Sequence, residues 1–154
     1  MNESDKNKKE VPISLKGMHD LMDETYYAFE KAQEVAVYYG FKPIETPTLE
    51  REEVFTSALG EGTDVIDKEM YTFKGKGGDR IAVRPEYTAS VMRSYLEHGM
   101  QTLPQPVMLY SYGPVYRHEN PQRGRLRQFR QFNLEILGTE KSIADALIIR
   151  TLIT

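Results

Sequence analysis

The sequence has no cysteine. That excludes disulfide scaffolds, thiol catalysis and Cys-ligated metal, and it fits a cytoplasmic protein. No apolar run approaches the ~20 residues needed to cross a bilayer, so no membrane association is expected. Residues 1–10 are charged and polar, with no apolar signal segment behind them. Internal repeats and low-complexity tracts are missing as well. A net charge of −3 excludes a polycation built to coat nucleic acid. The cluster Lys-Gly-Lys-Gly-Gly-Asp at 74–79 lacks the Gly-x-x-x-x-Gly-Lys-Ser/Thr spacing of a phosphate loop, and no helix follows it directly. It reads as a hairpin turn. The three histidines, His19, His98 and His118, are too scattered to require a metal, and no metal site is expected.

What is present is the material of one ordinary domain: 154 residues, 40% hydrophobic and 28% charged. Residues 1–12 are expected to be a disordered tail and 13–154 a single folded unit. Apolar residues recur at helical spacing from Leu21 to Tyr39, with Gly40 placed as a C-cap. Pro43 and Pro47 oppose helix over 41–48 and favour an extended, edge-like segment. A short helix over 50–59, stopped at Gly60, comes next. Strands at 69–73 and 80–84 flank the glycine turn. A helix over 86–98 should bury Val91, Met92, Tyr95 and Leu96. Strands at 107–117 and 128–138 make an antiparallel hairpin with a ten-residue loop. Residues 142–154 begin another amphipathic helix without a stop signal. Its apolar stripe implies burial on another subunit or on chain beyond this fragment.

The charge is unevenly spread. Between Arg117 and Arg130 lie five arginines and one acid, a local +4 that leaves −7 for the rest. A basic island in an acidic chain points to a local anion site. Beside it runs the strand Gln-Phe-Arg-Gln-Phe-Asn-Leu-Glu-Ile-Leu-Gly at 128–138. Alternation puts Phe132, Leu134 and Ile136 on one face, as core. Phe129, Gln131, Asn133 and Glu135 share the other. That row is either the solvated face of an antiparallel sheet or the floor of a small-molecule pocket. Guanidinium forks match phosphate oxygens, and a ring within their reach stacks on a nucleobase. A nucleotide site beside a polar pocket is the sharper reading; a solvated basic loop touching a nucleic-acid backbone is the plainer one.

The run Gly-Pro-Val-Tyr-Arg-His-Glu-Asn-Pro-Gln-Arg-Gly-Arg-Leu-Arg-Gln-Phe-Arg-Gln-Phe-Asn-Leu-Glu-Ile-Leu-Gly at 113–138 resembles the second signature motif of the histidyl-tRNA synthetases, which are class II aminoacyl-tRNA synthetases. Tyr-Gly-Phe-Lys-Pro-Ile-Glu-Thr-Pro at 39–47 resembles the first class II motif. Gly-Glu-Gly-Thr-Asp at 60–64, with Lys-Glu-Met-Tyr-Thr-Phe at 68–73, resembles the family's early hairpin. Arg-Pro-Glu-Tyr-Thr-Ala at 84–89 resembles its amino-acid-binding turn. The match runs in family order from about Lys16 to Gly138.

The resemblance implies an α+β fold, an antiparallel sheet flanked by helices and here incomplete. It implies ATP-dependent activation of histidine and its attachment to tRNA(His), with ATP and Mg2+ as cofactors and a homodimer as the working state. Arg117 matches the arginine that grips the ATP α-phosphate and the amino-acid carboxylate. Glu119 matches the acid near the adenine amino group, and Phe129 the ring stacked on adenine. Arg125 and Arg127 fall in the loop reaching ATP and the tRNA acceptor end. Glu86 and Thr88, helped by Gln131, match groups on the histidine α-amino end, with Tyr87 at the pocket edge. Glu135 matches the carboxylate that reads the imidazole. Pro47 matches the dimer-interface proline. The third class II motif, the magnesium ligands and the anticodon-binding domain are expected downstream, so the fragment alone should have little or no ligase activity. The rival readings are the histidine-sensing, synthetase-like regulatory subunit of ATP phosphoribosyltransferase, another class II synthetase, and a plain dimerisation or nucleic-acid module. The retained run Arg-Gly-Arg-Leu-Arg at 123–127 favours the synthetase over the regulatory subunit.

Overall fold

A computed structural model describes residues 13–20, 24–59, 69–120, 122 and 125–154. The expected tail at 1–12, Leu21, the stop at Gly60, the run at 61–68 and Arg123 lie outside them. The described residues form an α+β fold of four helices and two three-stranded sheets.

Helix α1 spans Glu24–Tyr38. It ends as its glycine requires. Gly40 sits at φ +90°, its N–H donates to Val37 O at 2.9 Å, and Phe41 N–H reaches back to Ala36 O at 3.0 Å. This paired closure uses two terminal carbonyls and turns the chain into the extended segment. Strand β1 (Lys42–Pro43) follows at a sheet edge, with Lys42 and Pro43 pairing in parallel with Leu109 and Tyr110.

Strand β2 (Leu49–Arg51) takes up Glu50, which the sequence places in a helix; α2 begins only at Glu52 and runs to Leu59. Pairing of β2 with β4 (Arg80–Val83) claims those residues, a non-local bond that outweighs local helix preference. Strand β3 (Thr72–Lys74) is shorter than expected and pairs antiparallel with β4 across the glycine turn. There Gly78 adopts φ +94° and Gly75 N–H donates to Asp79 O at 2.8 Å.

Helix α3 (Thr88–Glu97) lies between the two sheets. Val91 and Tyr95 pack on Leu109 and Leu137, while Ala89 packs with Phe55 and Ala82. Burying a side chain such as Val91 or Phe55 contributes about 1.5–3 kcal/mol. The expected stripe is corrected here. Met92 and Leu96 are 37% and 60% exposed, and Ser90 and Ser94 are buried in their place. A helix held between two sheets needs small residues where the layers approach closely. Arg93 joins α3 to β2 through Glu50, and it also bonds Glu97 at 2.7 Å. Burial works against its charge, but the two carboxylates more than offset that and raise its pKa.

Strands β5 (Val107–Tyr116) and β6 (Gln128–Leu137) pair over their whole length, from Val107 opposite Leu137 to Tyr116 opposite Gln128. On one face α1 covers them, with Phe29 stacked on Tyr112 at 4.1 Å and Tyr110 stacked on Phe132 at 5.7 Å. Leu134 lines a cavity of about 280 Å³ with Ala32, Val35 and Leu152. Phe132 and Leu134 thus share the face under α1, as their alternation implies, but they are only half-buried there. The buried Leu109 and Leu137 lie on the opposite face. Helix α4 (Ile143–Leu152) carries Asp145 in its first turn and Arg150 in its last, both favourable to the helix dipole. Ile143, Ile149, Leu152 and Ile153 remain 60–72% exposed. No helix among the described residues is long and apolar enough to cross a membrane.

Candidate functional site

The other face of the hairpin splits in two along its length. Leu109 and Leu137 meet α3 in the core. Beyond them, Glu135, Asn133, Gln131 and Phe129 line up on β6 opposite Leu109, Ser111, Gly113 and Val115. Every one of these β6 side chains is half-buried, so the row is sheltered and not a freely solvated sheet face.

The turn before α3 closes over this row. Pro85 and Glu86 are buried, and the Glu86 carboxylate accepts from the backbone N–H of Thr88 at 2.5 Å and of Ala89 at 2.9 Å. Those bonds satisfy two of the free donors at the helix start, which is why α3 begins at Thr88 and not at Glu86. The Thr88 hydroxyl donates to Glu135 Oε1 at 2.6 Å, and Asn133 Nδ2 donates to the same oxygen at 2.9 Å. Gln131 Oε1 is buried and accepts no hydrogen bond among the described residues. A buried carbonyl without a donor costs about 1–3 kcal/mol, so a ligand that brings an N–H there gains affinity.

Arg117 stands at the end of β5. Its Nε donates to Pro85 O at 3.0 Å, and its guanidinium lies 5.3 Å from the centre of the Phe129 ring. One nitrogen is thus spent on positioning, and the terminal pair remains as a fork. The backbone N–H of Arg117 donates to Arg127 O at 3.0 Å, closing the hairpin loop. Within that loop Arg127 Nε donates to Glu119 O at 3.1 Å, and Arg125 Nη1 lies 3.5 Å from Glu119 Oε2. The described part of the basic loop is therefore braced through Glu119.

Most of the residues singled out from sequence come together. Glu86, Thr88, Arg117, Phe129, Gln131 and Glu135 surround one stretch of sheet, with Glu119, Arg125 and Arg127 in the adjoining loop. Pro47 lies apart and exposed, lining a groove with Arg93, Leu96 and Glu97 of the far half of α3. Tyr87 departs from its expected place at the pocket edge. It is 1% exposed, with the Arg84 guanidinium 4.3 Å above its ring. Burial pushes its hydroxyl pKa up against the pull of Arg84, and the oxygen has no hydrogen-bond partner among the described residues. The pattern-based reading missed the roles of two residues. One is Asn133, whose only signal was its place in the polar row. The other is Arg84, quoted in a motif but given no role.

The Tyr87 hydroxyl occupies the space that a side chain at position 113 would need. A Cβ on Gly113, whose φ is +157°, would meet that oxygen at 2.4 Å, Arg84 Nη2 at 3.2 Å and the Tyr87 ring carbon at 3.7 Å, so the hydroxyl is the closest of several causes of strain. Gly113→Ala is therefore expected to destabilise the protein by about 1–3 kcal/mol. Tyr87→Phe alone should be neutral or slightly stabilising, because it removes an unpartnered buried hydroxyl. Combined, the two should cost less than Gly113→Ala alone, and urea midpoints of the three variants measure it. Simple additivity would show that the contact is not the cause.

Comparison with known proteins gives the family. The family model for histidyl-tRNA synthetase matches residues 19–154. The histidine–tRNA ligase of Dehalococcoides mccartyi is 44% identical over 140 residues, covering 88% of this chain and 34% of that protein. The crystal structure of apo S. aureus histidyl-tRNA synthetase superposes with a TM-score of 0.76 at 34% identity, covering 93% of this chain and 33% of the other. A Bacillus halodurans structure described as an ATP phosphoribosyltransferase regulatory subunit/histidyl-tRNA synthetase superposes at 0.70 with 26% identity, covering 88% and 36%. The chain spans about a third of the length of the curated relatives it matches. It belongs to the histidyl-tRNA synthetase family.

Proposed function

We propose that this chain carries the part of a histidine–tRNA ligase that binds histidine and the α-phosphate and adenine of ATP. One observation carries the reading: a guanidinium fork, an aromatic ring, an unpartnered amide carbonyl and a carboxylate stand in sequence along one sheltered sheet face. The ammonium of histidine donates to Gln131 Oε1. Its carboxylate and the ATP α-phosphate share Arg117, and its imidazole N–H meets Glu135. Phe129 takes the adenine, Glu119 its amino group, and Arg125 and Arg127 the phosphates and the acceptor end of tRNA(His). Glu86 serves through the helix start it caps, and Tyr87 backs the pocket wall.

The reaction suits these groups. A histidine carboxylate oxygen attacks the α-phosphorus, the bond to the bridging oxygen breaks, and pyrophosphate leaves. The ribose hydroxyl of tRNA(His) then displaces AMP from the acyl carbon. The first step needs charge stabilisation and alignment more than proton transfer, so arginines and fixed donors serve in place of a catalytic triad. Among the described residues no three acidic or imidazole groups cluster as a metal site. Mg2+ travels with ATP in this reading and takes its protein ligands from the rest of the full-length protein. The protein works in the cytoplasm as a homodimer through the face around Pro47, where Leu96 is exposed.

The Bacillus halodurans likeness keeps the histidine-sensing regulatory subunit as the second reading. The braced arginine loop favours the ligase, because a sensor of histidine alone has no phosphate to hold. Thermal unfolding of the full-length protein tests the site. With ATP present, histidine at a hundredfold Kd should raise Tm by about 3 °C. Threonine or proline should not. An equal response to all three, or none to histidine, overturns the assignment. A shift with histidine that is indifferent to ATP favours the regulatory reading.

A further inference from the structure

We propose that Asn133 is a positioning residue that fixes the orientation of the Glu135 carboxylate, so that one of its two equivalent oxygens is held free toward the ligand. The inference rests on the histidine reading above. Glu135 is anchored from two directions, by the Thr88 hydroxyl at the start of α3 and by the Asn133 amide two residues back on its own strand. Both donors fall on the same atom, Oε1. A carboxylate oxygen has two lone-pair sites, and here both are used. Among the described residues Oε2 is given no donor, so it is the acceptor left for a ring N–H.

The geometry explains why two anchors are needed. The terminal torsion of a glutamate is broad and nearly two-fold, so a single donor leaves the carboxylate free to swing. Two donors from different elements define its plane. Asn133 suits the task because β6 holds its backbone opposite Ser111 within a ten-residue ladder. The side chain then projects along the same face as Glu135. Its amide presents N–H to the carboxylate, whereas an aspartate at this position would present a second negative charge. The result is one oriented acceptor where the imidazole is read. Discrimination by a buried polar group depends on such alignment, because a wrong ligand must leave the acceptor unpaired.

A structural role alone makes a different prediction, so steady-state ATP–pyrophosphate exchange in the full-length protein separates the two. Asn133→Ala should raise the KM for histidine about tenfold, with the KM for ATP unchanged and kcat altered less than about threefold. Asn133→Asp should raise it further. Thr88→Ser, which keeps the hydroxyl, should retain most of the wild-type value, while Thr88→Val should not. Tm within about 2 °C of wild type for Asn133→Ala separates positioning from folding. If that variant does not fold, Asn133→Ser and Asn133→Asp carry the same comparison. A wild-type histidine KM for Asn133→Ala beside a large rise for Glu135→Ala overturns the inference and leaves the site assignment standing. So does a parallel rise in both substrate KM values with a lowered Tm. A wild-type histidine KM for Glu135→Ala removes the assignment itself.

Discussion

Arg117→Ala should lower histidine-dependent ATP–pyrophosphate exchange in the full-length protein by about 10²–10³-fold, the loss seen when one aligned donor is taken from a developing oxyanion. Its Nε donates to Pro85 O at 3.0 Å and its guanidinium lies 5.3 Å from the centre of the Phe129 ring. Those two contacts fix the guanidinium before any ligand arrives, so little ordering remains to be done at the moment of reaction. The terminal nitrogens form a planar fork that meets two oxygens at once. Arg117→Lys should therefore recover less than about a tenth of the lost rate, since an ammonium is a point charge with no fork. Arg117 is only half-buried and lies at a strand end, so Tm should move little in either variant. Exchange within tenfold of wild type for Arg117→Ala would remove Arg117 from the centre of the reaction.

The placement of Arg117 was legible from sequence because it depends on local order. Alternation along 128–138 put Phe129, Gln131, Asn133 and Glu135 on one face, and the hairpin brought Arg117 beside Phe129. Gly40 marked the end of α1 for a similar reason, since its φ of +90° is a local demand. Features decided by distant partners were not legible. Glu50 went to a strand because β4 pairs with it, and β1 took a parallel neighbour more than sixty residues away. The exposed and buried sides of α3 were misassigned at Met92 and Leu96, because helical spacing shows an apolar stripe but not the small-residue contacts of a helix lying between two sheets. Glu86 looked like a free ligand group, and its use as a helix cap appears only once the backbone of Thr88 and Ala89 is placed. Arg84 is the strongest case. A charged residue in a strand reads as solvent-facing, and nothing nearby in sequence announces that it is buried.

Arg84→Leu should destabilise the fold by about 3–5 kcal/mol, a large part of the 5–15 kcal/mol that holds an ordinary domain. Arg84 is 4% exposed. Its Nη1 donates to Thr46 O at 2.9 Å and its Nε to Pro114 O at 2.9 Å, while the guanidinium covers the Tyr87 ring. It thus ties the segment after β1 and the body of β5 to the turn before α3. Leucine would leave both carbonyls short of a donor, at about 1–3 kcal/mol each, and would lose the flat packing over the ring. Arg84→Lys keeps the charge but loses the planar fork that serves both carbonyls in fixed directions, so an intermediate loss is expected. Urea unfolding followed by circular dichroism measures both, with arginine more stable than lysine and lysine more stable than leucine. The backbone gives a second consequence. Arg84 O accepts from Tyr116 N–H at 3.0 Å, one residue before Arg117. A change that loosens Arg84 therefore also loosens the strand end that carries Arg117. Arg84→Lys should lose exchange activity even at temperatures where it stays folded, and a folded Arg84→Lys with wild-type exchange would show that the two ends of this strand are not mechanically linked.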